Sequence, residues 1–183
     1  MSKLRNILAA LVLSAAPVAA NAAPVNVDTW YTFGFGGVNS ALQGGAGFIQ
    51  GDNPTSDVAP DGPWTFTLTS AATLFVMDLF LSVDQFELFN FGSSLGLTSS
   101  PTASGGGCDS NITCAIGNLD YSRGSFALAA GDYSITGIQR QGVAGAGVFI
   151  VETAAVPVPA AGVLLVGALG MLGAVRRRKS RKA

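Results

Sequence analysis

The sequence predicts an all-β protein: a single β-sandwich or jelly-roll-like domain of about eight strands, set between a cleaved signal peptide and one C-terminal transmembrane helix. Three observations carry this. Between Ala23 and Thr153 apolar residues recur with period two, that stretch is punctuated by Gly, Asn, Asp and Pro, and both chain ends have the composition of targeting segments. The 183 residues then divide into a signal (1–22), a body (23–153) and a sorting tail (154–183).

The first segment, MSKLRNILAALVLSAAPVAANAAP, has Lys3 and Arg5 ahead of an apolar stretch and ends in small residues. That order is the layout of a secretory signal peptide, with cleavage expected after Ala22 and, as the alternative, after Ala20. Cutting after Ala23 would place Pro24 against the scissile bond.

Within the body, TWYTFGFG puts Tyr31, Phe33 and Phe35 on one face of a strand, and PWTFTLTS alternates Trp64, Phe66 and Leu68 with three threonines. ATLFVMDLFLS is apolar on both sides and reads as a strand covered on both faces. DQFELFNFGSSLGLTS reads as strand, turn around Gly92, Ser93 and Ser94, and returning strand. GSFALAAGDYSITGIQ gives two strands about Gly131 and Asp132, with Phe126, Leu128, Tyr133 and Ile135 facing in, and GAGVFIVET supplies the last. The stretch 34–62 is loop-like, with one short strand expected at GFIQ.

Charge is segregated. Of ten basic residues, two lie in the signal and six in the tail, so Arg123 and Arg140 alone face all eleven acids of the body and leave it nine charges negative. Such a body repels phosphate backbones, which argues against a nucleic-acid partner. With no histidine in the chain and no lysine in the body, the usual general bases and Schiff-base nucleophiles are missing, and no G-x-S-x-G elbow occurs. Asp78, Asp84 and Glu87 are the carboxylates a glycosidase would need, read here as solvated edge or loop charges. The expectation is a non-enzymatic protein without a cofactor.

Cys108 and Cys114 lie six positions apart in the Gly-rich loop GGGCDSNITCAIG, where export to an oxidising compartment predicts a disulfide. Two thiols without histidine do not make a zinc site. Asn111-Ile112-Thr113 is a glycosylation sequon in form. The loop GDNPTSDVAPDG gathers Asp52, Asn53, Asp57 and Asp61 as weak calcium candidates, without EF-hand spacing. Trp30, Tyr31 and Trp64 would suit a sugar-stacking platform, although alternating strand positions favour the core.

The tail reads VPVPAAGVLLVGALGMLGAVRRRKSRKA. Ala160 to Val175 are uncharged and span about 24 Å as a helix, short against a hydrocarbon core near 30 Å but usable with flanking groups. Pro157 and Pro159 mark the helix start. Arg176, Arg177, Arg178 and Lys179 form a basic stop that stays cytoplasmic and places the body on the far side.

The order of Val156-Pro157-Val158-Pro159-Ala160, a Gly-rich apolar run and a basic end resembles the sorting signals of the PEP-CTERM class, most closely its VPLPA-CTERM variant. It departs from that motif at Val158, where the variant has Leu. The β-rich body, with its Cys pair, is similar to bodies carried by such proteins. Membership implies a Gram-negative envelope protein handled by an exosortase-type membrane enzyme at the proline motif and released or attached at the surface, often with exopolysaccharide and biofilm matrix. The alternative expectation is a carbohydrate-binding β-sandwich, with calcium in the Asp52–Asp61 loop.

Overall fold

The computed structural model describes residues 22–45, 49–102, 105 and 107–154. The signal segment through Asn21, including Ala20, lies outside the described residues, as do the sorting motif Val156 to Ala160 and the basic stop Arg176 to Lys179. Among the described residues no helix is long and apolar enough to cross a membrane.

The described residues form eleven strands and one helix: β1 (Ala23–Pro24), β2 (Tyr31–Phe35), β3 (Gln43–Gly44), β4 (Asp57–Val58), β5 (Trp64–Leu68), β6 (Ala72–Leu79), β7 (Gln85–Asn90), β8 (Ser93–Leu97), α1 (Ile112–Gly117), β9 (Arg123–Leu128), β10 (Gly131–Gln141) and β11 (Gly145–Thr153). They build two sheets, ordered β1-β5-β10-β7-β8 and β3-β2-β11-β6-β9, with β4 also on β2. From β5 onward every connection except the β7–β8 hairpin carries the chain from one sheet to the other, which sets the sheets face to face.

Their shared core is aromatic. Trp64 of the first sheet stacks on Phe149 of the second at 4.2 Å, and Phe33 of the second meets Phe86 of the first edge-on at 5.3 Å. All four are buried, and each such ring contributes on the order of 2–3 kcal/mol by leaving water. The predicted inward faces of β2 and β5 are confirmed, and Trp64 and Tyr31 are thereby removed from any sugar-stacking role. Trp30, half-buried, packs edge-on against Phe75.

β6 explains its unbroken apolar run. Ala72, Leu74 and Val76 face the shared core, while Met77 and Leu79 join Val148 in a second cluster on the other side of the sheet. That cluster is closed by Ile112 and Ala115 of α1 with Tyr121 and Cys108.

Several local expectations are corrected. No strand forms at Ile49 and Gln50; the short strands of this stretch are β3 and β4, which add to β2 at Phe33↔Gly44 and Tyr31↔Asp57. They exist because the edge of β2 offers partners, which no local periodicity reveals. The β7–β8 turn is Phe91-Gly92, with Ser93 already paired to Asn90. Gly131 and Asp132 belong to β10, and β9 and β10 lie in different sheets. The cysteine loop contains α1, a helix too short to show a 3.6-residue period.

Candidate functional site

Cys108 and Cys114 form a disulfide, with Cα atoms 5.5 Å apart. The Asn111 side chain caps α1 by accepting from the Cys114 N–H at 2.8 Å. At the other end, the Arg123 guanidinium donates to the carbonyls of Ala115, Ile116 and Asn118. One of the body's two cations therefore serves as a helix C-cap. The second, Arg140, pairs with Glu87 at 2.6 Å on the outer face of the first sheet.

Two of the three acids expected to be solvated are not, whereas Glu87 stays on the outer face as expected. Asp78 and Asp84 are both buried inside the body, at the end where β6 passes into β7 and β10 into β11. Asp78 Oδ1 accepts the Leu79 N–H at 2.8 Å and Oδ2 the Asp84 N–H at 3.1 Å. Asp84 Oδ1 accepts from Gln139 Nε2 at 2.6 Å and from the Val143 N–H at 2.8 Å. Burial, reinforced by the neighbouring Asp84 charge, pushes Asp78 up to about 9, and burial moves Asp84 in the same direction, to about 6. At neutral pH the pair therefore holds a proton.

This arrangement is a clamp. It ties the β6 end, the β6–β7 turn, β10 and the β10–β11 turn through hydrogen bonds to two neighbouring buried carboxyls. Glu87 makes its contacts with Ser94 and Arg140 instead, so the three acids do not converge. Beside Asp84 lies a cavity of about 150 Å³ lined mainly by Leu79, Leu81, Ala144 and Ala146.

The calcium candidates do not converge either. Asp52 accepts from Ser110 Oγ at 3.0 Å, Asp61 from the Gly44 N–H at 2.9 Å, and Asp57 lies in β4 beside Tyr31. Among the described residues no three His, Cys, Asp or Glu side chains come together in a metal-holding group.

A groove of about 690 Å³ crosses the first sheet from β1, over β5 and β10, to Phe91 in the β7–β8 turn. Thr65 and Thr67 alternate with the core residues of β5 and stand opposite Ser134 and Asp132 of β10, so all four share the outer face. Thr67 Oγ1 donates to Asp132 Oδ1 at 2.7 Å. Phe91 is 69% exposed and sits at φ +46°, followed by Gly92 at +80°. Sequence reasoning missed this groove, because its walls come from four separated segments.

Comparison of the chain with family models, with curated proteins and with solved structures gives no match.

Proposed function

We propose that this protein is an exported, non-catalytic β-sandwich of jelly-roll type, sorted through its tail to the surface or extracellular matrix of a Gram-negative cell by an exosortase-type enzyme. The observation that carries this reading is the order of Val156–Ala160, an uncharged run through Val175 and the basic block Arg176–Lys179. Two structural features support it. β1 begins at Ala23 and β11 ends at Thr153, so cleavage after Ala22 and processing at the proline motif would both spare every strand and the shared core. The Cys108–Cys114 bond suits an oxidising compartment.

The root of the tail is also held firmly. Asp28 accepts from the Thr153 N–H and Oγ1, each at 2.8 Å, which fixes the last residue of β11 against the chain following β1. The intended substrate of the processing enzyme is then a motif emerging from a rigid body. Cell fractionation of wild type against a variant with Pro157 and Pro159 both changed to Ala tests the reading: the wild type reaches the surface or medium and the variant stays in the inner membrane. Equal release of both would contradict it.

A further inference from the structure

We propose that the groove running from Asn26 across Thr65, Asp132 and Ser134 to Phe91 is a binding site for a neutral polysaccharide chain. The inference goes beyond sorting and stands whether or not the tail is cut.

It begins from Phe91. A bulky L-residue rarely adopts φ +46°, and the two-residue hairpin turn it occupies with Gly92 favours Asn at this position. The turn itself requires φ above zero at both central positions, so what calls for an account is the residue type, a bulky aromatic where Asn would sit with less strain. Phe91 is 69% exposed and contributes no ring to the core, so packing does not account for an aromatic side chain at this turn position. What the position achieves is display of a flat apolar face at one end of the groove.

The rest of the floor supplies the complementary chemistry. Thr65, Thr67 and Ser134 offer hydroxyls, and Asp132, oriented by Thr67 at 2.7 Å, offers its second oxygen as an acceptor among the described residues. An aromatic face beside a carboxylate and hydroxyls matches a sugar ring, whose C–H face is apolar and whose rim donates hydrogen bonds. Charge selects within that class. Arg123 and Arg140 are occupied by α1 and by Glu87, neither lines the groove, and Asp132 would repel an acidic polymer.

Affinity electrophoresis and titration calorimetry against dextran, a linear β-glucan and alginate test the proposal, with the full-length chain carrying Gln in place of Arg176, Arg177, Arg178, Lys179, Arg181 and Lys182 so that the basic tail does not itself hold an acidic polymer. Binding of a neutral glucan but not alginate is expected. Phe91→Asn should weaken that binding about tenfold or more while raising the melting temperature, and Phe91→Trp should retain it. A merely structural Phe91 would not separate affinity from stability in this way. The proposal is overturned if neither neutral glucan binds, if alginate binds equally, or if Phe91→Asn leaves binding unchanged.

Discussion

Asp84 presents its backbone N–H to Asp78 Oδ2 at 3.1 Å, and both carboxyls lie in the interior of a body whose other acids lie at or near the surface. The folded pair holds a proton that the unfolded chain releases in the ordinary carboxylate range.

The consequence for stability is a decline with rising pH. Both carboxyls are raised above their ordinary values, so their contribution is present in full below about pH 4 and is lost as pH climbs toward 9, with a limiting slope of about 1.4 kcal/mol per pH unit for one proton. Asp28 and Glu87 are shifted the other way, by Thr153 and by Ser94 with Arg140 respectively. Their effects are complete above pH 5 and do not mask the trend. Denaturant unfolding at pH 5.5, 7 and 9 should show the loss, and Asp78→Asn, which keeps the shape without the charge, should flatten it. A stability that rises toward pH 9 in the wild type would contradict a proton retained by the buried pair.

Gly142 protects the same clamp. At φ +112° it lies in the region that favours glycine, and an added Cβ would stand 1.9 Å from Asp84 Oδ1 and 2.8 Å from the Val83 carbonyl oxygen. Gly107, at φ +113°, has nothing within 4 Å, so it provides a control with matched backbone strain. Gly107→Ala should cost about 1 kcal/mol and Gly142→Ala roughly 3 kcal/mol or more, measured by thermal and denaturant unfolding. Equal losses would remove the steric argument.

Arg123 should matter through α1 rather than through charge. Replacing it with Met keeps most of the stem and removes the three carbonyl contacts at the helix end, for an expected loss of about 1–2 kcal/mol. Faster hydrogen exchange should be confined to residues 108–123. A loss spread through β5 and β10 would show that Arg123 supports the shared core.

The disulfide is expected to act locally as well. It closes a short loop, worth about 2 kcal/mol in the chain-entropy view, over the cluster of Met77, Leu79 and Tyr121. Changing Cys108 and Cys114 to Ala should lower the melting temperature while leaving the far-ultraviolet β signal intact. Loss of that signal at 25 °C would show that the loop is needed for the whole fold.

How much of this was legible depends on the range of the signal. Alternation in β5 and the two-sided apolar run of β6 report faces directly, because side chains alternate along a strand. The Asp78–Asp84 clamp was not read, although a hint exists: a lone acid inside LFVMDLF must follow its strand into the interior. Its hydrogen bonds join residues up to 59 positions apart, from a turn, a strand and a second turn, and no local pattern links them. Phe91 carries a similar hint, standing where a hairpin turn ordinarily takes Asn. The helix α1 was hidden by its six residues, and β3 and β4 by depending on the edge of β2.

The central claim is that the tail is an address read by a processing enzyme. Intact mass spectrometry of the mature protein, recovered from the envelope and the medium, tests it most directly. The account predicts a chain that begins at Ala23 and lacks Arg176 through Lys182. A mature species that still carries that basic block would contradict it and make the tail a permanent anchor.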